Sequence, residues 1–270
     1  MTPAIPWYIE SIVIATNLAV AVVAWGILSV GASRSGLPSA TRRRVRIGGA
    51  GYLGAWLGAA LALAPPSATV LAADPLALTP LVPLFILAPT SIAILGIALS
   101  PTLRKVAAAA PLPMVVGVQV YRLIGAVFVV LLAQGQLPAH FALPAGWGDI
   151  AVGLGAPLVA LALARRLGGA RALAVGWNVF GLLDLIVAVG MGSGVLVPLL
   201  VPELGARVAP APAMGVFPMI LVPMFLVPVS GLLHLVALWR LWRESVPLSG
   251  PTRPGRRRPP GTVRGTSPVR

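Results

Sequence analysis

Residues 112–137 have the sequence LPMVVGVQVYRLIGAVFVVLLAQGQL, in which Arg122 is the one charged side chain. A helix needs about 20 apolar residues to cross the roughly 30 Å hydrocarbon core of a bilayer, and this stretch is long enough. Six further apolar stretches lie at 5–30, 47–64, 76–99, 144–164, 172–197 and 213–238. The sequence therefore predicts an all-α, polytopic membrane bundle with seven transmembrane helices.

The composition supports a membrane protein and excludes several classes of site. Of the 270 residues, 58% are hydrophobic and 10% are charged, whereas soluble domains contain about 25% charged residues. The chain has no cysteine and two histidines, which excludes disulfides, thiol catalysis, zinc–thiolate and iron–sulfur sites and multi-histidine metal centres. We therefore predict no metal site and no cofactor.

The basic residues predict the orientation of the bundle. Of the 20 basic residues, 18 lie in the first, third and fifth connectors between the predicted spans and in the C-terminal segment. With seven spans, all of these segments are on one side of the membrane. Basic residues are retained on the cytoplasmic side. We therefore predict an outer N-terminus and a cytoplasmic C-terminus, in the plasma membrane of a bacterial cell.

The end of the chain differs from the rest. Residues 245–270 are rich in Pro, Gly, Ser and Arg and are predicted to be a disordered cytoplasmic tail, which leaves 1–244 as the transmembrane domain. The predicted partners are the bilayer itself and, at the tail, anionic lipid headgroups. The tail's short arginine run has no aromatic residues for stacking on bases, so no nucleic-acid partner is predicted; oligomeric state is left open.

The polar residues inside the spans are the most informative ones, because a charge at the midplane costs at least ~2.5–3.5 kcal/mol. Arg122 lies ten residues into its span and Asp184 twelve residues into the sixth, so both are near the midplane. We predict an Arg122–Asp184 ion pair, solvated by Gln119, Asn178 and Asn17. Two interpretations remain open: a structural contact between helices, and a substrate or proton site.

A second polar group is predicted near the outer surface. Glu10 lies one turn into the first span, His140 follows the fourth, and Asp149 opens the fifth after a tight turn over 144–149. Together these three side chains would form an outer cup. The alternative for His140 is a hydrated interfacial residue, and for Asp149 an acid suited to a helix N-terminus. His234, near the inner end of the last span, is interpreted as interfacial.

Prolines predict that the third and seventh spans are broken. Pro218, Pro223 and Pro228 follow one another at five-residue spacing in the last span. Each proline removes a backbone donor and frees a carbonyl, which in lipid needs a partner from a neighbouring helix or water. Broken helices often line transporter sites, although many are simple packing kinks.

Segments 121–125, 136–149 and 177–184 carry a resemblance. They contain Tyr-Arg-Leu-Ile-Gly, Gln-Leu-Pro-Ala-His-Phe-Ala-Leu-Pro-Ala-Gly-Trp-Gly-Asp and Trp-Asn-Val-Phe-Gly-Leu-Leu-Asp, and resemble a group of uncharacterised multi-pass membrane proteins of actinobacterial type. The resemblance covers about spans four to seven. It implies a multi-pass membrane fold and brings no established activity.

The sequence leaves three functions open. A small-solute or proton-coupled permease is favoured by the midplane charges and the broken spans. A membrane-embedded enzyme acting on a lipid or isoprenoid would use the outer acids and histidine in general acid–base roles, but no catalytic constellation of recognised spacing is present, so no catalytic residue is assigned. A scaffold or regulator of another membrane protein is the third.

Overall fold

The fold is a bundle of α-helices. The computed structural model describes residues 5–64, 81–193 and 211–243, and these ranges contain no β-strand. The helices are α1 (Trp7–Arg34), α2 (Ser39–Leu63), α3 (Leu81–Leu99), α4 (Pro101–Ala109), α5 (Leu112–Gly117), α6 (Ala126–Ala133), α7 (Ala139–Ala164), α8 (Ala170–Gly192) and α9 (Val227–Arg243). The predicted all-α class is confirmed for these ranges; the predicted tail, 245–270, lies outside them.

Within the described ranges, six helical stretches are long and apolar enough to cross a membrane. They are Trp7–Arg34, Leu81–Leu99, Leu112–Ala133, Ala139–Ala164, Ala170–Gly192 and Val222–Arg243. Large apolar side chains such as Leu87, Ile92 and Leu99 of α3 are exposed, as expected of a face that contacts lipid. The stretch at 47–64, predicted as the second span, belongs to α2. This helix has 25 residues, but it begins with an arginine-rich segment and is less apolar than the six.

The break between the fourth and fifth predicted spans lies at Gly135 rather than at 144–149. Gly135 has φ 72°, the left-handed conformation that glycine adopts without strain. Its N–H donates to the Leu132 carbonyl, and that of Gln136 to the Leu131 carbonyl, which is the Schellman pattern of a helix C-terminus. The predicted turn over 144–149 is wrong: α7 already begins at Ala139 and continues through this stretch.

The proline-rich segment before α9 departs from α-helical geometry, as predicted for the seventh span. Residues Val222–Leu226 form a π-helical turn that contains Pro223 and ends two residues before Pro228. Pro228 has no N–H, so the carbonyl of Met224 lacks its usual helical donor. The indole Nε1 of Trp56 donates to that carbonyl at 2.9 Å. A neighbouring helix thus satisfies the freed backbone group, which the apolar surroundings require.

The same segment forms the centre of the bundle. Met219, Leu221, Met224 and Phe225 are fully buried and belong to a cluster that includes side chains from α1, α2, α6 and α7. The Trp56 and Phe225 rings meet edge to face with centroids 5.3 Å apart. The chain therefore packs its most irregular backbone in its interior, next to the polar residues described below.

Candidate functional site

Arg122 lies inside the bundle, in a 3₁₀ segment (Val118–Gly125) that joins α5 to α6. Its side chain is 2% exposed. The Nε donates to Asp149 Oδ1 of α7 at 2.5 Å, and Nη2 donates to Asp184 Oδ2 of α8. The remaining Nη1 donates to the Gly181 carbonyl at 3.1 Å. Every nitrogen of the guanidinium has an acceptor, and the predicted contact between Arg122 and Asp184 is present.

Asp149 is the residue whose predicted place differs most from the observed one. The sequence predicts it at the start of a span, in an outer cup with Glu10 and His140. In the structure it lies ten residues beyond Ala139, the first residue of α7. His140 is in the first turn, so the two are separated by roughly 13 Å along the helix axis at 1.5 Å per residue. Asp149 therefore belongs to the Arg122 cluster, and the cup loses one of its three members.

His234 is not interfacial; it is fully buried. Its Nδ1 lies 2.9 Å from Asn178 Oδ1, and its Nε2 lies 3.4 Å from Arg122 Nη1. Because Asn178 Nδ2 donates to the Ala174 carbonyl at 2.7 Å, the amide oxygen faces the ring, and Nδ1 must carry the hydrogen. Nε2 then presents a lone pair to the guanidinium, so His234 faces Arg122 as an acceptor.

The three amides predicted to solvate the ion pair form other hydrogen bonds. Gln119 Nε2 donates to the Ser230 carbonyl at 3.1 Å, and Ser230 Oγ donates to Gln119 Oε1 at 2.7 Å. Asn178 contacts the His234 ring, which in turn faces Arg122. Asn17 Nδ2 donates to the Val13 carbonyl of its own helix at 2.8 Å. The Gln119–Ser230 pair therefore joins the 3₁₀ segment to α9, and Asn178 orients His234.

Glycines allow the polar side chains to approach the helix backbones. A Cβ at Gly148 would overlap Asp184 Oδ1, and one at Gly181 would lie 2.5 Å from both Cε1 and Nε2 of His234. A Cβ at Gly153 would lie 2.8 Å from the backbone nitrogen of Leu123. The cluster therefore requires glycine at several points where α7, α8 and the 3₁₀ segment meet.

The charges of the cluster do not balance when both carboxylates are ionised, since one guanidinium faces two aspartates. A cavity of about 10 Å³ lies beside them, and Tyr121, Asp149 and Ser230 contribute to its walls. Such a space holds about one water molecule. In the described part of the chain, no group of three or more His, Cys, Asp or Glu side chains is placed to hold a metal ion.

Sequence reasoning missed Asp149, His234, Ser230 and Tyr121 as members of this site. Tyr121 donates its hydroxyl to the Leu226 carbonyl at 3.1 Å. A sequence signal exists for two of them: Ser230 and His234 are four residues apart in α9 and therefore lie on the same helix face. The polar face of the last span could have indicated that it packs toward Arg122.

The residues of the cluster lie in the part of the chain that matches one family model. Residues 79–242 match the model of a family described as Domain of unknown function (DUF8737). The chain belongs to this family. The DUF8737 region contains Arg122 and all of its hydrogen-bonding partners named above, whereas α1 and α2 precede it. No curated protein and no solved structure shows a match to the chain.

Proposed function

We propose that this protein is a proton-coupled permease for a small solute in a bacterial plasma membrane, with the cluster of Arg122, Asp149 and Asp184 as its proton site. The observation that carries the proposal is the charge imbalance of this buried cluster. An ionisable residue within a membrane span is costly and usually serves a task. Two carboxylates around one guanidinium exceed what a purely structural ion pair needs.

The imbalance makes the cluster suited to taking up one proton. With one carboxylate protonated, a single negative charge remains opposite the guanidinium and the cluster is neutral. With both ionised, one negative charge is uncompensated in a medium of low dielectric constant, where isolated charges are expensive. His234 does not supply the missing positive charge, since its Nε2 accepts from Arg122. Gain or loss of a proton therefore changes the energy with which the helices pack around the cluster.

The cavity beside Asp149 favours a proton over a larger ligand at the cluster itself. Its volume of about 10 Å³ admits water but no solute. A solute would bind where the surrounding segments open, and the irregular backbone of Val118–Gly125 and Val222–Leu226 borders the cavity. Non-helical backbone lining a polar site is typical of transporters. A lipid-processing enzyme is less favoured, because Asp149 is engaged by Arg122 and no lipid headgroup fits beside it.

The function can be tested with the full chain in proteoliposomes that contain a pH-sensitive dye. Panels of amino acids, sugars, carboxylates and inorganic ions are applied, and the proton flux that each evokes is measured. We expect one class of solute to evoke a flux that is lost in Asp184→Asn, a variant that keeps a neutral one-to-one pair of Arg122 and Asp149. Glu10→Gln, outside the cluster, should behave as wild type.

Absence of any solute-evoked flux, or equal flux in Asp184→Asn and wild type, would contradict the permease. Two other results would favour the alternatives. Formation of a product from lipid extract would indicate an enzyme. Purification with a fixed partner and with neither activity would indicate a scaffold or regulator.

We further propose that α2 is a seventh span, with the N-terminus outside, the C-terminus cytoplasmic, and 1–244 as the membrane domain. The support is the distribution of basic residues, which fall on one side only if 47–64 crosses. Because the chain has no cysteine, single cysteines report topology cleanly. With a membrane-impermeant maleimide on intact cells, Ser67→Cys and Ser193→Cys should be labelled, and Ser39→Cys only after permeabilisation. Labelling of Ser39→Cys and Ser67→Cys from the same side would show that α2 does not cross.

A further inference from the structure

A groove lies between α3 and α9, and none of the residues that line it belongs to the Arg122 cluster. Its volume is about 390 Å³, within the range of roughly 300–1,000 Å³ that is typical of small-molecule sites. Most of its wall consists of aliphatic side chains: Ile94, Ile97 and Ala98 of α3 and Leu232, Leu235 and Val236 of α9. The distance from Leu232 to Trp239 is two helical turns, so the groove runs roughly 10 Å along the bundle.

The chemistry of the groove changes at one end, where Arg104 and Trp239 complete its wall. Arg104 is exposed, and its Nη2 donates to the Ala98 carbonyl at 2.7 Å, which holds the guanidinium at the mouth. The guanidinium of Arg243 lies 5.1 Å from the centroid of the Trp239 ring, and Lys105 is also exposed. Helices α3, α4 and α9 contain no Asp or Glu.

The two ends therefore fit two parts of one molecule. The aliphatic part matches an acyl chain. The basic mouth matches a phosphate, since guanidinium groups bind phosphate oxygens strongly, and a tryptophan at this level is typical of the membrane interface. Basic pockets between transmembrane helices bind anionic lipid headgroups. A free phosphate would use the mouth and leave the aliphatic groove without a ligand.

We propose that this groove is a binding site for one anionic phospholipid, with an acyl chain between α3 and α9 and its phosphate at Arg104. The site is separate from the Arg122 cluster and does not depend on the permease function. It also differs from a general attraction of lipid to the basic tail, because it needs a shaped groove and one particular arginine.

The test uses the detergent-purified full chain, with phosphatidylglycerol or phosphatidylcholine added in a titration and bound lipid counted by native mass spectrometry. We expect one phosphatidylglycerol to bind more tightly than any phosphatidylcholine. Arg104→Gln should weaken this site about fivefold, the equivalent of ~1 kcal/mol for one arginine near a headgroup. Ala98→Trp, which fills the groove, should abolish it. Arg165→Gln, an exposed arginine in the connector after α7, is the matched control and should bind as wild type.

Three outcomes would overturn the proposal. Equal affinity for the two lipids would show that the charge at the mouth is not used. Unchanged binding to Arg104→Gln would place the lipid elsewhere, and this variant changes an exposed side chain, so it remains informative if Ala98→Trp fails to fold. Equal weakening by Arg165→Gln and Arg104→Gln would indicate a diffuse attraction to basic residues.

Discussion

Replacement of Arg122 by methionine is expected to destabilise the protein more than any other single change in the cluster. The substitution leaves Asp149 and Asp184 buried together without their cation, and breaking a buried ion pair in this way costs about 3–5 kcal/mol. We expect a sharp loss of monodisperse protein in detergent and a strongly lowered melting temperature. Both are measured by size-exclusion chromatography of a fluorescent fusion after heating.

The matched control removes all three charges at once. In the triple variant Arg122→Met, Asp149→Asn, Asp184→Asn no ionised group remains, so yield and melting temperature should recover toward wild type despite two further substitutions. Replacing a whole buried ionic group is often neutral where removing one member is not. A single Arg122→Met variant that melts like wild type would show that the cluster does not hold the helices together.

Gly181→Ala is also expected to have a large effect, although it adds a single methyl group. The new Cβ would lie 2.5 Å from the His234 ring, which is held by Asn178 and Arg122. Either the ring moves off Arg122 or α8 and α9 separate. Overpacking of this kind costs about 1–3 kcal/mol, and here it also disturbs the Gly181 carbonyl that accepts from Arg122. The melting temperature should fall clearly.

The control for this change lies in the same helix. Gly176 has open space where its Cβ would be, so Gly176→Ala should leave the melting temperature unchanged or raise it, as expected when alanine replaces an unneeded glycine in a helix. Equal melting temperatures for the two alanine variants would contradict the close packing of His234 against α8.

The sequence was sufficient for the helical class and for the pairing of Arg122 with Asp184. Arg122 and Asp184 are each embedded in a long apolar stretch, and counting residues from the end of the stretch gives their height at 1.5 Å per residue. Two charges of opposite sign at one height in a medium that penalises both will meet.

Asp149 and His234 were misplaced because helix ends were misplaced. The Pro and Gly residues of 144–149 are typical of a turn, but the chain turns at Gly135 and the next helix begins at Ala139. Asp149 therefore lies ten residues beyond the first residue of α7 and not at its start. In the last span, α9 continues to Arg243, so His234 is well inside. Glycine and proline mark candidate breaks, but hydrogen bonding and packing across the bundle determine which break is used.

The hydrogen bond from Trp56 to the Met224 carbonyl has a consequence for how the protein is made. The two residues are 168 positions apart. At a synthesis rate of about 5–20 residues per second, roughly 8–34 s pass between the synthesis of Trp56 and that of Met224. During that time α2, which is less apolar than the other long helices, lacks its packing partner in the Val222–Leu226 turn. This contact between α2 and the Val222–Leu226 turn can therefore form only late in synthesis, after residue 224 has left the ribosome.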